Sequence, residues 1–340
     1  VSTVFEQATI RQAVEPGVTV IVCAYTQERW PDLIAAIDSL HAQTLKPEQV
    51  ILVVDHNEAL FWQAQARFAA QGVVVVENSE PRGLSGARNT GLRLNQSPII
   101  AFMDEDAVAE PSWLARLVAA YDDPQVMGVG GAIVPHWADG RPGWFPPPFD
   151  WVVGCTYEGM PIGRAAVRNL IGCNMSFRRA LAEQNGGFRH GIGRIGTRPV
   201  GCEETEYCIR AHQRWPEGRF IYEPEARVHH TVPAKRATWA YFQARCYAEG
   251  LSKAAIGQFV GAKSSLSSET SYVARTLPLA VLRNLGAALR FDLNGLARAA
   301  AIVAGLGLTG AGYLTTCARL ALQRRMRVPV AATQTRAGQL

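Results

Sequence analysis

Apolar residues in this chain fall into short β-branched blocks separated by stretches with helical spacing. Gly17 to Tyr25 (GVTVIVCAY) reads as a buried strand closed by polar Thr26 and Gln27. From Pro31 to Gln43, Leu33, Ile34, Ile37 and Leu40 recur on one helical face, with Pro31 suited to the first turn. Gln49 to Asp55 is a second strand ending in its acid. Ala59 to Gln71 predicts a helix, and Val73 to Glu77 a third strand. Pro98 to Met103 is a fourth strand, running into Asp104, Glu105 and Asp106, and Pro111 to Tyr121 predicts a helix. The alternation implies an α/β fold with a doubly wound, mostly parallel sheet flanked by helices. Ligands on such sheets bind beyond the carboxyl ends of the strands. Thr26, Asp55 and Asp104 stand at such ends and should converge on one crevice.

The texture changes after Val134. Pro142 to Asp150 is rich in proline and aromatic residues and predicts a structured loop. Trp137, Trp144, Phe145, Phe149 and Trp151 flank it, suited either to stacking on a sugar ring or, the preferred reading, to a satellite core. Asn174 to Glu183 and Glu203 to Arg214 predict helices, Arg219 to Tyr222 a short strand, and the chain is helical and basic from about Thr238. The implied domains are residues 1–240, an α/β unit, and 241–340, a C-terminal helical extension.

Length, 340 residues, allows two domains or one large domain with an appendage, and 48% apolar content excludes wholesale disorder. Seven scattered cysteines, none in a C-x-x-C pair, point to a reducing compartment and away from structural zinc. The net charge of +5 conceals an asymmetry: residues 251–340 hold eleven Lys/Arg against two Asp/Glu, whereas the first 250 hold 23 against 27. Val1 to Val14 has no apolar core, so no signal peptide is expected there and a cytoplasmic location is. Ala299 to Ala318 is uncharged and bracketed by Arg298 and Arg319. Its length suits a membrane span, but its glycines, threonines and alanines favour a buried or interfacial helix pair.

Four segments carry chemistry. Asp104-x-Asp106, leaving an apolar strand, places two carboxylates where one divalent cation can be held; an acidic turn or helix cap is the plainer alternative. Arg82 to Gly91 (RGLSGARNTG) has glycines that admit close approach, with Arg88 and Asn89 expected at a helix start facing an anionic or nucleotide ligand. It lacks the G-x-G-x-x-G spacing of dinucleotide sites. Glu203, Glu204 and Glu206 crowd one turn, which either raises a carboxyl pKa toward general-base use or only complements the helix dipole. Glu223 to His230 ends in His229 and His230, which point opposite ways if extended, so one of them at most is a metal ligand.

Taken in order, these segments resemble the family 2 inverting glycosyltransferases of GT-A fold. The match runs from the VTVIVCAYTQE strand and turn through VVD, GLSGARNTG, MDEDA, NMSFRR, GGF and EETEYCIR to the histidine run. The resemblance implies transfer of a sugar from a nucleotide-diphosphate sugar, UDP-sugars favoured, to a hydroxyl of a glycan or lipid-linked acceptor. It implies Asp55 at the nucleotide base, Arg88 as a secondary nucleotide contact, and Asp104 near the ribose. It implies Asp106 and His230 as ligands of Mn2+ or Mg2+, and Glu204 as the general base. Two departures stand out: glutamate replaces the usual aspartate of the base, leaving Glu203 as an alternative, and His56-Asn57-Glu58 follows Asp55 in place of Asp-Gly-Ser. A phosphatase of D-x-D-x-V type fits the string Asp104 to Val108, but there the motif follows the first strand, not the fourth. A nucleotide-sugar-binding protein without catalysis is the other alternative. No nucleic-acid partner is expected. The basic extension suits the anionic cytoplasmic membrane surface, or else a packing or homodimerisation module.

Overall fold

The computed structural model describes residues 17–193, 201–261 and 269–326. The N-terminal segment read for a leader, and Arg327 in the basic tail, lie outside the described residues. Strands β1 (Val18–Ala24), β2 (Gln49–Val54), β3 (Val73–Glu77) and β4 (Ile99–Asp104) pair in parallel in the order β3-β2-β1-β4. The sheet then turns mixed, to nine strands. Beside β4 lies antiparallel β8 (Asn174–Arg178), then β6 (Val126–Trp137), β9 (Arg219–Val232) and the short β5 (Ala107–Ala109), with β7 (Ala165–Val167) on β9.

Both faces of the parallel half are covered, which is why its strands are continuous apolar runs rather than alternating ones. Val18, Val20 and Val22 point to one core with α1 (Trp30–His41), α2 (Glu58–Phe68) and α4 (Trp113–Val118). Ile21 and Cys23 point to the other, with α3 (Leu84–Leu94), α5 (Arg179–Asn185) and α6 (Glu203–Arg214). Pro31 sits in the first turn of α1, and Asn57 caps α2 by accepting from the Leu60 N–H.

Three readings of the second half needed correction. Asn174 to Arg178 is a strand, not the start of a helix; the helix begins only at Arg179. Its inward polar residues are satisfied from neighbouring strands: Asn174 donates to Ala132 and Ala226 carbonyls, and Ser176 to Val129. The short strand at Arg219 continues to Val232, passing Pro224 by an irregularity in its pairing with β6. The expected helix pair at 299–318 is one helix, α9 (Asn294–Met326). Helix α9 packs on α7 (Trp239–Val260) and on α8 (Leu277–Ala288), which follows a π-helical turn at Tyr272–Thr276. Gly295, Gly305 and Gly312 permit this close packing: a Cβ on Gly312 would lie 2.1 Å from the Tyr247 carbonyl oxygen. Residues 294–323 are long and apolar enough to cross a membrane, and only 22% of the most apolar window is buried.

The aromatic loop forms a satellite core. Phe145 and Phe149 are buried and pack against Phe242 of α7, the first edge-on and the second tilted. Through this cluster the C-terminal helices join the core on the α1 face.

Candidate active site

A cavity of about 920 Å3 opens between the carboxyl end of β4, the start of α6, and helices α7 to α9. Arg88, Asp104, Glu203, Glu204, His230 and Arg236 line its polar end. Leu277, Leu306, Tyr313 and Leu314 line it from the C-terminal helices, together with Arg245, Glu249 and Lys253 of α7 and with Glu269.

Asp104 continues the face of β4 that carries Ile100 and Phe102, so its carboxylate emerges on the α3 side, partly exposed. The chain then turns at Glu105 and Asp106 before β5 begins. That turn breaks strand alternation, and the two acids of D-x-D part company. Asp106 is buried and does not line the cavity. Its Oδ2 lies 3.0 Å from Arg29 and 3.8 Å from Arg236. Burial pushes the Asp106 carboxyl up, but His230, Arg29 and Arg236 together outweigh it and hold it far below the usual range. Its Oδ1 lies 3.3 Å from His230 Nε2 and has no other polar partner among the described residues. Glu105 pairs with Arg29 at 2.6 Å; burial still raises it to about 7 against that attraction.

His230 lies opposite Ala107 in the β5–β9 ladder and is buried beside Asp106; His229, on the opposite face, binds Glu110. Asp104, Cys173 and His230 bring one ligand atom each to within 4.8 Å of one another. A carboxylate, a thiol and an imidazole beside a bare carboxylate oxygen suit a divalent cation. Cys173 was not anticipated: a lone cysteine before a strand carries no sequence signal.

Arg88 lies in the second turn of α3, not at its start, and is 2% exposed. Its guanidinium sits over the rings of Phe102 and Phe188, donates to Glu203 Oε1 at 2.7 Å and to the Gly172 carbonyl at 3.1 Å, and reaches within 3.7 Å of Asp104. This separates the adjacent glutamates. Glu203 is spent on Arg88. Glu204 makes no ion pair among the described residues and faces the cavity. Burial, then the Glu203 charge, raise it to about 8, against the pull of Arg88. Both begin α6 immediately after Cys202, held at φ +76°. Glu206, the third acid of the turn, is buried between Arg189 and Arg210.

Asp55 and Thr26 do not line this cavity. Asp55 accepts from Asn78 Nδ2 at 2.7 Å and from the Gly83 N–H at 3.0 Å, anchoring the glycine segment. Gly83 itself takes φ +130°, open only to glycine. Thr26 caps the short 3-10 turn before α1 by accepting from the Glu28 N–H.

Comparison with known proteins gives a consistent result. The model of the glycosyl transferase family 2 matches residues 19–186. Over 238 residues the chain is 37% identical to the glucosyl-dolichyl phosphate glucuronosyltransferase of Haloferax volcanii, covering 69% of this chain and 76% of that one. It is 27% identical over 311 residues to the succinoglycan biosynthesis protein ExoM of Rhizobium meliloti, covering 84% and 92%. Its structure superposes on the mannosyltransferase PcManGT from Pyrobaculum calidifontis, solved with GDP-Man and Mn2+, with a TM-score of 0.52 at 21% identity. That match covers 88% of this chain and 90% of the other and shows a shared fold.

Proposed function

Because this chain belongs to glycosyl transferase family 2 and has the GT-A fold, we propose that its cavity moves a sugar, with inversion, from a nucleotide-diphosphate sugar to a hydroxyl of a lipid-linked acceptor. The observation that carries this reading is the contrast between the two sides of the cavity. Glu204, with no ion pair among the described residues, lines one side with Asp104, Arg88 and His230, and Leu306, Tyr313 and Leu314 of α9 line the helical side, next to Arg245, Glu249 and Lys253 of α7. Leu296, Val303 and Leu322 of the same helix are exposed and do not line the cavity, so α9 adds an apolar exterior next to it. A soluble glycan has no use for such a wall; a sugar on a polyprenyl tail does. The name of the Haloferax relative, which acts on a glucosyl-dolichyl phosphate, supports the same acceptor class.

Within this reading, Asp104 and His230, with Asp106 Oδ1 against His230, would hold Mn2+ or Mg2+. When bound, the cation offsets the charge that develops on the departing diphosphate. Arg88 and Arg236 add fixed positive charge at the same end of the cavity. Glu204 takes the proton from the acceptor hydroxyl as that oxygen attacks the anomeric carbon from the face opposite the diphosphate. The bond to the diphosphate oxygen breaks in the same displacement, which inverts the centre. Asp55 and Thr26 serve the nucleotide from the β1 and β2 ends, Asp55 by shaping the glycine segment. The base is Glu204 rather than Glu203, since Glu203 is committed to Arg88.

The C-terminal helices supply the membrane contact. Leu279, Leu282, Leu289, Phe291 and Leu293 are exposed around the α8–α9 turn, beside Arg283 and Arg290. Apolar side chains among arginines suit an anionic leaflet, where each basic group adds about 1 kcal/mol. The whole assembly would then work at the cytoplasmic face.

The test is nucleoside-diphosphate release with a panel of UDP-, GDP- and dTDP-sugars and a glycosylated polyprenyl phosphate, with and without Mn2+. Release that requires the lipid acceptor and is abolished by EDTA is expected, with UDP-sugars first. No donor binding under any metal condition overturns the reading.

A further inference from the structure

The metal end of the cavity contains a group that neither the proposed reaction nor its ligands use. Cys173 is 4% exposed, lines the cavity, and brings its sulfur within 4.8 Å of donor atoms of both Asp104 and His230. It is also held in place from both sides. The preceding carbonyl, Gly172, accepts from Arg88 Nη2 at 3.1 Å, and a Cβ on Gly172 would meet that nitrogen at 2.6 Å. The following side chain, Asn174, donates to two carbonyls and accepts from Trp113 Nε1 at 2.8 Å. The backbone carrying Cys173 is therefore clamped on both sides. A second thiol, Cys155, lies 3.8 Å from His230 Nδ1 but outside the three-residue cluster.

We propose that Cys173 is a direct sulfur ligand of the divalent cation, giving this site an O, N, S donor set that favours thiophilic ions over Mg2+. The inference rests on the metal-site reading above and adds to it the identity of a ligand and a metal preference. Oxygen donors alone select hard ions such as Mg2+; a thiolate selects Zn2+, Co2+ and Cd2+. On binding, Cys173 gives up its thiol proton to solvent and its sulfur takes a place on the metal. No oxidant or reductant enters.

Co2+ is the probe, because a cobalt–thiolate bond absorbs in the near ultraviolet and carboxylate or imidazole ligation does not. The full chain is titrated with Co2+ under reducing conditions, and bound metal is measured by equilibrium dialysis. The expected result is the charge-transfer band in the wild type, its loss in Cys173→Ser, and its retention in Cys155→Ser. Cd2+ affinity should fall by about tenfold or more in Cys173→Ser, while Mn2+ affinity changes far less. Should Cys173→Ser fail to fold, the wild type still answers: bound Cd2+ should slow alkylation of Cys173, located by mass spectrometry, relative to EDTA-treated protein. Bound Co2+ without the band, a band that survives in Cys173→Ser, or equal alkylation with and without Cd2+ each overturns the sulfur ligand and leaves the metal site standing. No bound metal of any kind overturns both.

Discussion

Adjacent glutamates at the start of α6 should respond to the same substitution in opposite ways. Glu203→Gln removes the charge opposite Arg88 in a pair whose side chains are 2% and 4% exposed. Breaking a buried ion pair from one side costs about 3–5 kcal/mol, and the amide keeps one hydrogen bond, so about 3 kcal/mol is expected. Glu204→Gln removes a charge that the fold disfavours. Its pKa rises from 4.5 to about 8 on folding, so between those values the native state binds more protons than the unfolded one. Stability therefore falls as pH rises through that window, and the glutamine variant escapes the fall. Glu204→Gln should be at least as stable as wild type at pH 8, with its advantage growing from pH 5. Turnover sorts the other way: loss of a general base costs about 10²–10⁴-fold. In the wild type, with the group at about 8, about a tenth of Glu204 is ionised at pH 7 and about nine-tenths at pH 9, so turnover should climb close to tenfold between them. The assay is urea unfolding of both variants at pH 5 and pH 8, beside nucleoside-diphosphate release from pH 6 to 9. Glu204→Gln turning over within about threefold of wild type refutes the base assignment. Destabilisation of Glu204→Gln to the level of Glu203→Gln refutes the division of labour.

Asp55→Ala leaves the Gly83 N–H and Asn78 Nδ2 without their acceptor, costing about 1–3 kcal/mol; hydrogen exchange at Gly83 should accelerate and donor affinity should fall. Gly250→Ala puts a Cβ 2.0 Å from the Thr309 carbonyl oxygen, where two backbones meet and nothing flexible can yield. It should cost about 1–3 kcal/mol and release α9 to limited proteolysis before the sheet unfolds. Leu289→Ser with Phe291→Ser alters only exposed positions, so stability should hold within about 0.5 kcal/mol per site. Flotation of the full chain with anionic vesicles should drop, and turnover on a short-chain soluble acceptor should not. Equal flotation of the variant removes the membrane role of the α8–α9 turn.

The parallel half of the sheet was legible because burial on both faces makes each strand a run of β-branched residues, a signal strong enough to read alone. The mixed half was not. Strand β6 is diluted by Gly128, Gly130 and Gly131, yet packing demands them: a Cβ on Gly131 would fall 1.8 Å from the Ala226 carbonyl oxygen. Strand β8 alternates Met175 and Phe177 with Asn174 and Ser176, but it is only five residues long, both its faces are buried, and good helix formers follow it at once. At the site, the acids and His230 were legible as residue types at strand ends and a helix start. Their orientation was not, because a two-residue turn after Asp104 decides which way Asp106 faces. Cys173, Arg29 and Arg236 left no trace in any motif; each matters through contacts with residues distant in the chain.

Those arginines also change the meaning of the acidic first 250 residues. The excess negative charge is not a field spread over the cavity, since most of its acids are matched individually. Glu105 and Asp106 share Arg29, Glu203 has Arg88, and Glu206 has Arg189 and Arg210. Each pair is buried on at least one side, and a buried carboxylate without such a partner would be driven to its neutral form. Pairing therefore sorts the acids by role. Most matched ones hold the walls, Asp106 keeping one oxygen toward His230, and beside Arg88 the acids left loosely matched are Asp104, with Arg88 at 3.7 Å, and Glu204. The proposed transfer needs two kinds of acid in one cavity, one beside the cation and one ready to take a proton. Among the described residues, arginines form ion pairs with the neighbouring acids and none does so with Glu204, on which Arg88 acts only as a nearby charge. Adding one there is the direct test: Gly201→Arg stands at the cavity wall three residues before Glu204, where a Cβ meets none of the described atoms within 4 Å. A guanidinium at that wall should pull the Glu204 carboxyl down, shift the pH–turnover profile to lower pH, and weaken the base. A profile that does not move would show that the ionisation limiting turnover belongs to another group.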